Sequence, residues 1–113
     1  MFQFLYLIFQ NCIQNEAFLK IIETKSYTAS ITQADGNVRT EDWAPTNYYA
    51  KGIVSAPDGV TVLGGKTGTT GEAGYCLILL NENVAGHPYI SIVMGAGSRA
   101  LLYEDMNALL DGA

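Results

Sequence analysis

Apolar residues recur at helical spacing near the start of the chain, at Leu5, Phe9, Cys12 and Ile13, and the stripe resumes at Phe18, Ile21 and Ile22. Asn15 and Glu16 interrupt it, so the spacing predicts one broken helix or two short ones, and the apolar opening reads as a buried helix. "SYTASIT" then alternates and is rich in β-branched residues, "QADGN" carries hairpin chemistry, and "VRTEDW" returns as a partner strand. A β-ribbon over residues 26–43 is the expectation. An irregular stretch punctuated by Pro45, Pro57 and the Asp58-Gly59 turn follows. Three strands come next, near 60–68, 73–81 and 88–96, the last two joined by "NENVAGHP". In "YCLILL" and "YISIVM" both alternating faces are apolar, which predicts strands covered on both sides. Leu102, Met106, Leu109 and Leu110 mark a closing helix, with Ser98 as its N-cap and Gly112 just past its end.

These elements sum to an α+β fold. About three core strands form an antiparallel sheet, the ribbon is an addition to it, and helices at the two chain ends are placed to cover opposite faces. With 113 residues the chain corresponds to a single domain over residues 1–113, able to bury roughly two-thirds of its unfolded surface. Hydrophobic residues make up 49% and charged residues 15%, too apolar a mixture for disorder.

Charge removes several partners. The net charge is −5 with no basic cluster, so nucleic acid is not an expected partner. The apolar opening is too short to span a bilayer, its first cation is Lys20, and no small-residue cleavage site follows it; no signal peptide is expected in this chain. Cys12 and Cys76 each sit in an apolar setting and read as structural thiols, although they could pair in an exported protein. Two distant cysteines and the single His87 do not make a tetrahedral metal site, and neither metal nor cofactor is implied.

The chemistry concentrates in "GGKTGTTGEAGYCLILL", residues 64–80. A phosphate loop needs a glycine five positions before Gly65 and a helix after the lysine, but Val60 stands at the first place and a strand follows. On a strand, Lys66 and Gly68 point one way and Thr67 and Thr69 the other. Gly68 allows close approach of an extended ligand, and a peptide ending in a carboxylate can add alongside, its charge met by Lys66 and the hydroxyls.

In this segment the sequence resembles the serine-type D-alanyl-D-alanine carboxypeptidases, the low-molecular-weight penicillin-binding proteins. Lys-Thr-Gly is followed there by a second Thr, then Ala-Gly and an apolar strand with Cys, a continuation that serine β-lactamases lack. "KIIETKSYT", "TNYY" and "LLYEDMNALLDG" extend the likeness over nearly the whole chain. The resemblance implies a partial β-lactamase/transpeptidase-like fold. It also implies that Lys66, Thr67 and Gly68 are the third family motif, with the Lys66 ammonium orienting proton transfer and the Thr67 and Thr69 side chains holding the substrate carboxylate. The Thr69 backbone N–H would supply half of an oxyanion hole, which makes Lys66 and Thr69 the catalytic residues of this part. The implied ligand is a D-Ala-D-Ala-terminated peptide or a β-lactam, and the implied location is extracytoplasmic, at the cell wall.

One departure matters. The family's Ser-x-x-Lys and Ser-x-Asn motifs are missing: none of Ser26, Ser30, Ser55, Ser91 and Ser98 has Lys three positions later or Asn two positions later. The chain therefore reads as the C-terminal part of a catalytic domain without its nucleophile. The expectations are that it does not acylate alone and that it forms a homo-oligomer through an exposed sheet edge. A β-lactamase or esterase fragment, or a noncatalytic binding or oligomerisation module, are the alternatives. Trp43, Tyr48 and Tyr49 read as packing residues, His87 as exposed, Glu72 as a turn residue, and Asn47 matches an asparagine on the family's approach to the cleft.

Overall fold

A computed structural model describes residues 2–112. Two helices open the chain, α1 (Phe2–Cys12) and α2 (Glu16–Glu23). A hairpin of β1 (Tyr27–Thr32) and β2 (Val38–Trp43) follows, and after an irregular segment come β3 (Thr61–Thr70), β4 (Gly74–Glu82), β5 (Pro88–Ala96) and the closing helix α3 (Arg99–Asp111). β1 and β2 pair only with each other; the second sheet has the order β3-β4-β5, antiparallel throughout. The architecture is α+β, as the periodicities require.

Local chemistry sets most boundaries. Asn15 ends the first helical stretch and caps the second, its side-chain oxygen accepting from the N–H groups of Ala17 and Phe18 at 3.0 and 3.1 Å. Glu16 in the first turn complements the dipole of α2. The ribbon turns through Gly36 at φ +86°, a left-handed conformation natural to glycine, while Asp35 accepts from the Asn37 N–H. Ser98 caps α3 by accepting from the Leu101 N–H at 3.1 Å. Gly112 is the C-cap, but in a right-handed conformation rather than the left-handed one that glycine usually supplies there.

β4 lies at the centre of the core. Leu77 and Leu79 point to one face, where Leu102, Tyr103, Met106 and Leu110 of α3 meet them. Ile78 and Leu80 point to the other, against Phe9 of α1 and flanked by Phe18 and Ile22 of α2. Phe9 and Phe18 meet edge to face, centroids 6.0 Å apart. Each such buried aliphatic or aromatic side chain contributes about 1.5–3 kcal/mol. The two chain ends thus cover opposite faces of one sheet, and the two-sided apolar pattern of β4 has its explanation.

Two readings need correction. α1 is not a buried helix: among its residues only Phe9 is buried, while Phe2, Phe4, Leu7 and Ile8 are more than half exposed. The helix rests on the outermost strand, β5, and nothing among the described residues covers its other side. In α3, Leu109 stands on the flank of the apolar stripe and is 46% exposed; Tyr103 takes the buried place.

Two glycines let elements meet closely. A Cβ on Gly64 would stand 2.5 Å from the Ile22 carbonyl oxygen, so α2 crosses β3 directly at that residue. One on Gly65 would collide with the backbone of Ile78. Gly68 is different, with no atom within 4 Å of where its Cβ would be.

Candidate functional site

β3 is an edge strand, paired to β4 on one side only. Its register sets Lys66 opposite Ile78, Thr67 opposite Leu77, Gly68 opposite Cys76 and Thr69 opposite Tyr75. Because strand side chains alternate, Lys66 lies toward the α2 side and Thr67 and Thr69 toward the α3 side. The expected alternation is present, and it divides the motif between two cavities.

The cavity on the Lys66 side has a volume of about 500 Å³. Ile21, Ile22, Tyr27, Trp43 and Pro45 give it apolar walls, and Thr24, Thr46 and Lys66 supply its polar groups. Trp43 and Tyr27 face each other across the ribbon, centroids 6.1 Å apart, so Trp43 both packs and lines the cavity. The Lys66 ammonium folds back along the strand and donates to the Thr67 carbonyl at 2.7 Å. It therefore sits at the peptide that joins Thr67 to Gly68.

The second cavity, about 190 Å³, is lined by Thr46, Tyr48, Lys51, Thr67, Thr69, Tyr75, Arg99, Leu102 and Tyr103. Its polar inventory is two cations, three threonine hydroxyls and three phenols. Thr46 and Thr67 hydrogen-bond through their hydroxyls at 2.5 Å, which ties the irregular segment to β3. Tyr103 holds that segment from the other side, accepting from the Tyr48 N–H at 3.0 Å while its ring stacks on the Tyr48 ring. Burial raises the Tyr103 phenol above its ordinary value, and the Tyr48 N–H opposes part of that rise. A small pocket with hydroxyl donors and two cations is chemically suited to a carboxylate.

The sequence singled out Lys66, Thr67, Gly68 and Thr69; the structure adds Thr46, Lys51 and Arg99, which the sequence reading did not single out, to the lining of the second cavity. Arg99 had a signal: a cation in the first turn of a helix opposes the helix dipole, a local contradiction that singles it out in the sequence. Asn47 is buried and accepts from the Ala50 N–H at 2.9 Å, so it shapes the irregular segment rather than facing either cavity. Glu72 lies in the β3–β4 turn and His87 is exposed. Cys12 and Cys76 are free thiols, both half-buried.

No protein-family model matches the chain. A curated relative does: the D-alanyl-D-alanine carboxypeptidase of Streptomyces sp. strain K15 is 38% identical over 105 residues, 92% of this chain and 34% of that protein. Over nearly its whole length the chain is thus similar to one part of a D-alanyl-D-alanine carboxypeptidase. Among solved structures, an arginine-to-leucine mutant of the Streptomyces K15 DD-transpeptidase superposes with a TM-score of 0.72 at 29% identity, over 88% of this chain and 36% of that one. The fold is accordingly transpeptidase-like, and the chain spans about a third of the length of the relatives it matches.

Proposed function

We propose that this chain supplies the carboxylate-recognition and oxyanion side of a serine D-alanyl-D-alanine carboxypeptidase site acting on peptidoglycan stem peptides outside the cytoplasm. The observation that carries the reading is the free edge of β3: Thr67 and Thr69 share one cavity with Lys51 and Arg99, and the Lys66 ammonium stands beside the Thr67–Gly68 peptide. An extended peptide laid along this edge sets its terminal carboxylate among the hydroxyls and cations. The scissile carbonyl then lies near Gly68 and Thr69, where the Thr69 N–H stabilises the negative charge of the tetrahedral intermediate. Lys66, on the other side of the strand, raises the local positive potential and favours the deprotonated nucleophile.

The nucleophile comes from polypeptide outside these 113 residues, since the sequence contains no Ser-x-x-Lys. Its serine oxygen adds to the carbonyl, D-alanine departs with a proton on its nitrogen, and water hydrolyses the acyl-serine. Two assays test the reading. Titration of the isolated chain with an acyl-D-Ala-D-Ala peptide, followed by amide chemical shifts, is expected to move residues 66–69 and Arg99. Mixing the chain with a separately produced portion that carries Ser-x-x-Lys and Ser-x-Asn is expected to restore labelling by a fluorescent penicillin, and Lys66→Ala is expected to abolish it. Labelling of the isolated chain, or a folded mixture in which Lys66→Ala labels normally, overturns the proposal.

A further inference from the structure

The smaller cavity holds more positive charge than one carboxylate requires. It is formed within this chain, with walls from the irregular segment, β3, β4 and the start of α3. Lys51 and Arg99 enter it from different elements, and no Asp or Glu lines it. The chain has eleven Asp and Glu, yet residues 43–57 and 59–71, which carry Lys51 and the threonine hydroxyls, contain none. Neither cation is neutralised by the protein: among the described residues the ion pair is Arg39–Glu41, on the ribbon.

The backbone that carries Lys51 is held in place. The Tyr48 carbonyl accepts from the N–H groups of Ile53 and Val54 at 3.0 and 3.2 Å, and the Lys51 N–H donates to the Asn47 carbonyl at 3.4 Å. Gly52, at φ +74°, completes this tight turn, and Tyr103 anchors its base through the Tyr48 N–H. Arg99 follows the N-cap Ser98 directly. Space is sufficient for more than one anionic group: about 190 Å³ equals the volume of roughly six waters at about 30 Å³ each, and a carboxylate has only three heavy atoms.

We infer that Lys51 is a specificity residue, and that the cavity favours peptides whose terminal D-residue bears a second carboxylate on its side chain, of the D-aspartate or D-glutamate type. This rests on the carboxypeptidase reading of the same site. The planar fork of Arg99 suits the terminal carboxylate, together with the hydroxyls of Thr67 and Thr69. Lys51, a point charge on a flexible stem, meets the second carboxylate. A terminal residue with an uncharged side chain leaves Lys51 without a counterpart. The net charge of −5 works against any added negative charge, so a preference for it has to come from the cavity and not from the field of the whole chain.

Titration of the full 113-residue chain with three peptides, followed by amide chemical shifts, tests this: acyl-D-Ala-D-Ala, acyl-D-Ala-D-Glu and its uncharged isostere acyl-D-Ala-D-Gln. At low ionic strength the D-Glu peptide is expected to bind at least about threefold more tightly than the D-Gln peptide, the scale of one exposed charge pair, and added salt is expected to shrink the difference. Lys51 is exposed, so its replacement leaves the fold intact. Lys51→Gln is expected to make the two peptides equal, and Lys51→Arg to keep the preference. Lys20→Gln removes the same charge from α2, on the opposite face of the sheet, and is expected to leave the ratio unchanged. Binding of all three peptides without preference for D-Glu over D-Gln overturns this inference and leaves the carboxypeptidase reading standing. So does a preference that survives Lys51→Gln or is lost equally in Lys20→Gln. Failure of all three to bind overturns both.

Discussion

Tyr103 of α3 lies flat on Tyr48, ring centroids 4.7 Å apart and planes 4° from parallel, and its hydroxyl accepts a hydrogen bond from the Tyr48 backbone N–H at 3.0 Å. One side chain thus provides both the stacking surface and the polar anchor for the irregular segment that carries Thr46. Tyr103→Phe keeps the stack and leaves that N–H without its partner, a loss of about 1–3 kcal/mol in denaturant unfolding. Tyr103→Ala removes the ring as well and is expected to cost about 3–5 kcal/mol. In Tyr103→Phe, the Thr46–Thr67 hydrogen bond loses its support, and the Thr46 amide is expected to exchange faster.

Gly64 and Gly68 stand four residues apart on one strand and predict opposite outcomes. Gly64→Ala forces a methyl against the Ile22 carbonyl, and overpacking of this kind costs about 1–3 kcal/mol. Gly68→Ala meets open space, so thermal unfolding is expected to change little. If a peptide lies along β3, the same alanine obstructs it, and acyl-D-Ala-D-Ala titration is expected to show weaker binding by a normally folded protein.

Alkaline pH is a separate lever. Burial pushes the Tyr49 phenol up to about 12, with the neighbouring Tyr103 adding to the rise, and Tyr103 moves in the same direction. The folded chain therefore holds these protons more tightly than the unfolded chain, whose phenols titrate near 10. Stability from this source is complete below about pH 10 and declines as pH climbs toward 12. Urea midpoints measured from pH 9 to 12 are expected to fall over that window. Tyr49→Phe, which also loses the 2.6 Å bond to Asn107, is expected to begin lower and fall less steeply.

Asn81 and Ser91 form a polar pair inside the sheet, the amide donating to the hydroxyl at 2.9 Å, and Asn81 is fully buried. Ser91→Ala leaves the amide nitrogen without an acceptor and is expected to cost about 1–3 kcal/mol. Replacing both, as Asn81→Leu with Ser91→Ala, removes the stranded group. The double variant is expected to be more stable than Ser91→Ala alone, a non-additivity that a double-mutant cycle in urea measures.

Elements whose signal is local were legible from the sequence. The strand runs, the ribbon with its "QADGN" turn, the cap at Ser98 and the break at Asn15 depend on neighbours within a few residues, and the structure has them in place. The fate of α1 was not legible, because an apolar helix has the same spacing whether or not something covers its second side. Leu109 and Tyr103 show the same limit at one turn's resolution: packing against β4 chose the ring over the leucine. At the candidate site, the lysine-threonine segment stood out by composition. Thr46, Lys51 and Arg99 reach the same cavity from distant parts of the chain, and only tertiary structure brings them together.

The bulge in β3 has a consequence for how this segment tolerates change. Leu63 is the extra residue between Val62, which faces Asn81, and Gly64, which faces Leu80. It acts as a phase insulator: an insertion or deletion before Gly64 can be absorbed there, while pairing from Gly64 to Thr70 keeps the ammonium on one side of the sheet and the hydroxyls on the other. A one-residue slip beyond that point has no such buffer and would exchange Lys66 with Thr67 between the two cavities. Length variation is therefore absorbed on one side of Leu63, and on the other it redistributes the lysine and the threonines between the two cavities.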